Sequence, residues 1–102
     1  MTLQQAYLNV ASTQPTSEDV KRRLDRAYDI VRSNGQGYSV FRDTLFPHTF
    51  WRVQKASTQL LEDNSIEYQV DKTKCTCPDF PTARGGMCKH RLAVAMLLEM
   101  EK

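Results

Sequence analysis

The sequence predicts an α+β fold with a helical hairpin at the N-terminus, a small antiparallel β-sheet in the middle and one helix at the C-terminus. Apolar residues recur at helical spacing in the first 35 positions, and segments rich in aromatic and β-branched residues follow between residues 38 and 70. An apolar helical segment then closes the chain. With 102 residues, of which 40% are hydrophobic and 25% charged, the composition is typical of a single globular unit.

The first helix is predicted from its start signal and its apolar stripe. Thr2 and Gln5 have the spacing of a capping box, in which each side chain bonds to the backbone of the other residue. Pro15 sets the latest point at which this helix can end. The stripe consists of Leu3, Tyr7, Val10 and Ala11.

A second, longer helix is predicted to complete a helical hairpin over residues 1–35. Thr16 and Asp19 repeat the capping spacing in front of its apolar stripe. Asn34 and Gly35 form a typical C-terminal stop, because both residues tolerate the left-handed backbone conformation. The stripe consists of Val20, Leu24, Ala27, Tyr28 and Val31.

Three antiparallel strands are predicted where the periodicity changes. They are YSVF at 38–41, FWRV at 50–53 and IEYQV at 66–70. In the last of them, apolar and polar residues alternate strictly, which is typical of a strand with one buried face. Its apolar members are Ile66, Tyr68 and Val70.

All three cysteines and one of the two histidines lie in the stretch CTCPDFPTARGGMCKH at positions 75–90. Cys75 and Cys77 are two residues apart, so in an extended chain their side chains project to the same side. Cys88 and His90 have the same spacing, but on a regular helix it separates two side chains by about 200°. The sequence therefore predicts that Cys88 lies before or at the first turn of the last helix, with His90 inside that turn.

This ligand set predicts one structural Zn²⁺ ion per chain, bound by Cys75, Cys77, Cys88 and His90. Four protein ligands fill a tetrahedral site and leave no position for water or substrate. The alternatives are thiols that only pack in the core, an iron site and a disulfide. A nucleophile and base pair of Cys88 and His90 would need an orienting third group and an open cleft. The sequence indicates neither, nor paired carboxylates or a phosphate-binding loop, so we expect no enzyme and no small-molecule substrate.

The segments CTCPDF and GGMCKHRLAVAMLL, preceded by the strand YQV, resemble the SWIM-type zinc finger family. That family has the pattern Cys-x-Cys, a variable spacer and Cys-x-His, and the four ligands above match it position by position. The resemblance covers roughly residues 51–98 and implies a ββα arrangement, in which a hairpin carries the first ligand pair and a helix the second. It places a SWIM-type zinc-finger domain at residues 36–102, which we expect to form one compact unit with the N-terminal hairpin.

Members of the family are inferred to bind DNA or proteins, and both kinds of partner are expectations for this chain. The overall net charge is only +2, with a pI near 8.5. Residues 71–91, however, contain five basic side chains and two acidic ones, so this segment carries a net charge of +3. Such a local patch is typical of phosphate contacts and predicts nucleic-acid binding, and the resemblance to the family implies DNA in preference to RNA. The five basic residues are Lys72, Lys74, Arg84, Lys89 and Arg91.

The rival hypothesis is a zinc-stabilised adaptor or dimerisation module. The last helix has apolar residues on nearly every face, more than one small sheet can cover. Either the N-terminal hairpin covers the excess, or the face around Met96 and Met100 is a partner surface, for which methionine is well suited. Trp51, Phe50 and Tyr38 present a similar choice between core packing and stacking on bases.

The chain is expected in the cytoplasm. Its longest apolar run, LAVAMLL at 92–98, is too short to cross a bilayer, and no signal-peptide pattern precedes the first helix. Three cysteines cannot all pair, which fits a reducing compartment better than a disulfide framework. We therefore expect no membrane partner.

Overall fold

The computed structural model describes residues 1–34, 37–43, 50–55, 66–71, 74–77, 80 and 87–101. The helices are α1 (Leu3–Ala11), α2 (Glu18–Arg32) and α3 (Lys89–Glu101), and the strands are β1 (Tyr38–Asp43), β2 (Phe50–Lys55) and β3 (Ile66–Val70). These elements confirm the predicted α+β fold. Within this part of the chain, no helix is long and apolar enough to span a membrane.

The start of α1 follows its sequence signal. The Thr2 hydroxyl accepts a hydrogen bond from the backbone N–H of Gln5 at 3.2 Å, and the Gln5 side chain accepts one from the Thr2 N–H at 3.3 Å. This reciprocal pair satisfies two of the N–H groups that the first helical turn leaves without a backbone partner. The predicted capping box is therefore confirmed.

The start of α2 is predicted one residue too early, whereas its end agrees with the predicted stop. Ser17, not Thr16, caps the helix, because the Ser17 hydroxyl accepts from the backbone N–H of Val20 at 3.4 Å. The helix ends at Arg32. Ser33 is its C-cap, so Asn34 directly follows the cap, where a stop residue is expected. The Asn34 side-chain oxygen also accepts from the backbone N–H of Val40 at 3.0 Å and so joins the helix end to β1. Gly35, the other part of the predicted stop, lies outside the described residues.

The two N-terminal helices pack on one another and on α3. The Tyr7 hydroxyl donates to the carboxylate of Asp25 at 2.8 Å, and the Tyr7 ring meets Tyr28 edge-on, with centroids 5.7 Å apart. Met96 is 0% exposed, so of the two alternatives given for the last helix core packing applies at Met96, and a partner surface there is excluded. The hairpin does cover one side of α3, whereas Leu98 and Met100, 42% and 38% exposed, lie beyond that cover.

The sheet has the order β1-β2-β3, and every pair is antiparallel. Val40, Val53 and Tyr68 form one row across the three strands, and Val40 and Val53 are buried. The neighbouring row brings Trp51 beside Val70 on the same face. Because side chains alternate along each strand, this face forms the core, and Tyr68 and Val70 lie on it as the alternation predicts.

Candidate metal centre

The chain reverses direction just before the first cysteine pair. The backbone N–H of Asp71 donates to the carbonyl of Lys74 at 2.9 Å, and the Lys74 N–H donates to the Asp71 carboxylate at 3.2 Å. Immediately after this, Cys75 pairs with Val70 of β3 in an antiparallel bridge. The first ligand pair therefore lies on a short segment held against the end of β3.

Cys75 and Cys77 project to the same side, as their spacing predicts. Both are buried, whereas Thr76 between them is exposed. Thr76 also donates its backbone N–H to the carbonyl of Gln69 at 3.1 Å, and its hydroxyl accepts from the Gln69 N–H at 3.0 Å. This ladder keeps the segment extended and directs both sulfurs into the protein.

The second ligand pair lies at the start of α3, as predicted. Cys88 directly precedes the helix, and its carbonyl accepts from the backbone N–H of Leu92 at 3.0 Å. His90 is the second helical residue and is buried. Cys88 lies outside the helix, so the helical rotation of about 100° per residue does not fix the direction of its side chain. Its sulfur can therefore point towards the same site as His90.

The four side chains form a cluster suited to a tetrahedral metal. One ligand atom from each of Cys75, Cys77, Cys88 and His90 lies within 4.8 Å of all the others, and the Cys75 Sγ is 3.7 Å from the His90 Nδ1. Bond lengths of about 2.3 Å to sulfur and 2.0–2.1 Å to nitrogen put neighbouring ligand atoms of a zinc tetrahedron about 3.6–3.8 Å apart. Three buried thiols and an imidazole at this spacing therefore fit Zn²⁺.

Each sulfur also receives a hydrogen bond from the backbone. The donors are the N–H groups of Cys77 to the Cys75 sulfur, Phe80 to the Cys77 sulfur and Arg91 to the Cys88 sulfur. The last is the bond that an N-cap side chain accepts from the third helical residue. Such donors stabilise thiolates, and the helix N-terminus adds favourable electrostatics at Cys88.

The three thiols ionise unequally. A hydrogen bond from the Cys75 thiol, opposed by burial and aided by His90, lowers the pKa of Cys88 to about 4. The same bond, together with burial, raises the pKa of Cys75, and burial is the main cause of the raised pKa of Cys77. Cys88 is thus the first thiolate of the cluster, and a metal ion has to displace protons from the other two.

Tyr68 supports the histidine ligand and was not identified from the sequence. Its ring stacks on His90 with centroids 4.5 Å apart and planes tilted by 35°. The alternation of β3 placed Tyr68 on the core face, but no local pattern connects a strand residue with a helix that begins about twenty positions later. The sequence did contain one relevant signal, which was an aromatic residue predicted to face the core shortly before the first ligand pair.

Three of the five side chains predicted to contact nucleic acid lie among the described residues. Lys74 is exposed, and Lys89 and Arg91 are partly exposed. Lys74 directly precedes Cys75, and the other two flank His90 on the first turn of α3. Lys72 and Arg84 lie outside the described residues. The structure therefore places three of the five cations beside metal ligands.

Comparison with protein families finds that residues 57–99 match the family model described as the SWIM zinc finger. The match spans the four clustered side chains and most of α3, and it extends back through β3. Neither the curated proteins nor the solved structures contain a match to the chain. The C-terminal part of the chain thus matches the SWIM zinc finger, and the match includes the clustered side chains of Cys75, Cys77, Cys88 and His90.

Proposed function

We propose that the chain is a structural zinc module that binds nucleic acid, DNA in preference to RNA, and acts as a regulatory or accessory protein rather than as an enzyme. The observation that carries the first part is the buried cluster of three thiols and one imidazole. Its four protein ligands would occupy every position of a tetrahedral Zn²⁺ ion. The ion would then stabilise the fold and take no part in a reaction.

Zinc would join two parts of the fold that are distant in the sequence. Cys75 is bridged to the end of β3, whereas Cys88 and His90 belong to the start of α3. A metal bound to all four side chains fixes the helix against the sheet. In zinc fingers the binding free energy, on the order of 10 kcal/mol or more at neutral pH, is folding free energy.

Nucleic-acid binding is supported by the cations that accompany the ligands. Lys74 and Lys89 are covalent neighbours of Cys75, Cys88 and His90, so metal binding would also fix the positions of their backbones. Three thiolates and one Zn²⁺ carry a net charge of −1, which reduces the +3 of residues 71–91 to +2. Such a modest charge supports phosphate contacts with micromolar affinity, steep salt dependence and little base specificity.

Fluorescence anisotropy with labelled single-stranded DNA, duplex DNA and single-stranded RNA at about 50 mM salt tests this proposal. We expect the double variant Lys74→Gln, Lys89→Gln to bind several-fold more weakly and to lower the salt slope by up to about 2, because each phosphate contact contributes about 0.9. The matched control is Lys21→Gln, Arg22→Gln, which removes two exposed cations from α2. Equal zinc content in all variants is required for the comparison.

Two results would reject nucleic-acid binding at this site. One is the absence of any anisotropy change with all three nucleic acids at low salt. The other is an equal loss in the α2 control, because that would indicate a response to net charge alone. In either case the protein-interaction hypothesis becomes the stronger one, and the exposure of Leu98 and Met100 at the end of α3 favours it.

A further inference from the structure

Two separate segments of the chain supply the three thiols of the metal centre. Cys75 and Cys77 lie on the extended segment that is bridged to the end of β3, whereas Cys88 directly precedes α3. All three are free thiols, and their sulfurs lie within 4.8 Å of one another. Thiols this close together can be oxidised to a disulfide as well as bind a metal.

The extended backbone disfavours a disulfide within the first pair. In a strand, residues i and i+2 are about 6.6 Å apart, and so are their Cβ atoms. A disulfide needs Cβ atoms only about 3.5–4.5 Å apart. The two hydrogen bonds between Thr76 and Gln69 hold the segment extended. Cys75 and Cys77 could therefore form a disulfide only if this ladder were broken.

The geometry instead favours a disulfide between Cys75 and Cys88. The two residues belong to different segments, so no local backbone repeat keeps their Cβ atoms apart. Both other thiols contact the Cys88 sulfur, and the hydrogen bond from Cys75 has the larger effect on its ionisation. Cys75 is therefore the thiol that approaches Cys88 more closely.

Burial directs an oxidation reaction into the cluster. Cys75, Cys77 and Cys88 are 6%, 4% and 0% exposed. A sulfenic acid formed on one of them has another sulfur within 4.8 Å, whereas a thiol as large as glutathione has almost no exposed sulfur to attack. Hydrogen peroxide is an oxidant small enough for such a site.

We propose that hydrogen peroxide converts Cys75 and Cys88 to a disulfide, which replaces the zinc-bound link between the sheet and α3. One thiolate attacks the peroxide, the O–O bond breaks, hydroxide leaves and a sulfenic acid forms. The other thiolate attacks that sulfur, the S–S bond forms and a second hydroxide leaves. The two sulfurs together lose two electrons, which the two peroxide oxygens take up.

The disulfide releases zinc but keeps the fold joined. Only Cys77 and His90 remain as ligands, which is too few for a structural zinc site. The new bond attaches Cys75, which is bridged to Val70 of β3, to the residue that precedes α3. It also closes the loop 75–88, and this constraint on the unfolded chain stabilises the folded state. The proposal rests on the zinc centre proposed above and makes peroxide a signal that this centre senses.

Peroxide treatment of the zinc-loaded protein tests the proposal. Zinc content is measured first, so that a failure of the zinc centre itself is recognised before oxidation. We expect zinc release to a chromophoric chelator together with the loss of two thiols. After alkylation of the remaining thiol, unreduced tryptic peptides 75–84 and 85–89 should be joined, with the alkyl group on Cys77. Dithiothreitol and added zinc should restore the starting protein.

Two variants with two thiols each make the test specific. Cys77→Ser retains Cys75 and Cys88, whereas the matched control Cys88→Ser retains only the first pair. With a chelator present, we expect peroxide to raise the melting temperature of Cys77→Ser and to leave that of Cys88→Ser unchanged. Each variant is compared with its own reduced form. If the reduced variants do not fold, the peptide map of the parent protein decides.

Three results would overturn the proposal. The first is a different product, such as a disulfide that contains Cys77, a disulfide between two chains, or sulfinic acids without a disulfide. The second is an oxidised parent protein that melts no higher than the reduced, zinc-free protein. The third is a protein that keeps all three thiols in peroxide. Absence of zinc from the untreated protein would reject the zinc centre, and the peptide map would still decide whether the disulfide forms.

Discussion

The ring of Tyr68 stacks on the ring of His90, with centroids 4.5 Å apart and planes tilted by 35°. Tyr68 belongs to β3 and pairs with Val53 in the centre of the sheet, whereas His90 lies in the first turn of α3. The stack therefore connects the sheet directly with a metal ligand. On the other side of the stack, the Nδ1 atom of this imidazole lies 3.7 Å from the Cys75 sulfur.

We expect Tyr68→Ala to weaken zinc binding about 10- to 100-fold, the range found when a group that orients a metal ligand is lost. Tyr68→Phe keeps the ring and should bind zinc nearly as the parent chain does. Competition with a chromophoric chelator measures both affinities. If Tyr68→Ala, while folded, retains the parent affinity, the stack does not position His90.

Zinc binding at pH 7 should release about two thiol protons. The raised pKa values of Cys75 and Cys77 keep both protonated at that pH, whereas Cys88, with a pKa of about 4, is already a thiolate. Zinc affinity should consequently fall as the pH falls, by about two logarithmic units per pH unit near neutrality. Calorimetry in two buffers with different ionisation enthalpies counts the protons. If zinc binding released no protons, all three thiols would already be thiolates. That outcome would contradict the raised pKa values of Cys75 and Cys77.

Met96 and Met100 should differ sharply in their contributions to stability. Met96 is 0% exposed and Met100 is 38% exposed, although both lie on α3. We expect Met96→Ala to lower the free energy of unfolding by about 2–5 kcal/mol, the cost of a cavity in a packed core. Met100→Ala should change it by less than about 1 kcal/mol. Urea unfolding of the zinc-loaded proteins compares the two, and equal losses would contradict the burial of Met96 in the core.

The cap of α2 offers a second matched pair. Because the Ser17 hydroxyl accepts from the Val20 N–H, Ser17→Ala should lower the free energy of unfolding by about 0.5–2 kcal/mol. Thr16→Ala should have little effect, since the helix begins after residue 17. Thermal melts of the two variants decide between the positions, and a larger loss for Thr16→Ala would restore the cap predicted from the sequence.

The sequence was most informative where a local pattern determines the structure. The spacing of Cys75 and Cys77 in an extended segment, and of Cys88 ahead of a helix that contains His90, was sufficient to predict the metal centre. The strict alternation of β3 likewise placed Tyr68 on the core face. In each case the geometry follows from the repeat of a strand or a helix, which neighbouring residues define.

Features that depend on packing were not predicted. Thr16 and Ser17 both carry a hydroxyl and both precede the apolar stripe, so the choice between them depends on where the docked helix begins. The Asn34 side chain accepts a hydrogen bond from Val40 of β1, and no local pattern indicated that contact. The packing of α3 across the row that Arg42, Trp51 and Val70 form likewise depends on contacts between distant segments. Such contacts join segments that are far apart in the sequence, and the repeat of a helix or a strand does not predict them.

The central claim is that Cys75, Cys77, Cys88 and His90 together hold one zinc ion. Elemental analysis of the purified, folded protein tests it most directly. We expect one zinc per chain in the parent protein. A Cys77→Ser variant should lose zinc together with the cooperative melting of the C-terminal half, because metal binding supplies its folding free energy. A zinc content well below one per chain in fully folded protein, or a Cys77→Ser variant with unchanged zinc and melting, would contradict the account.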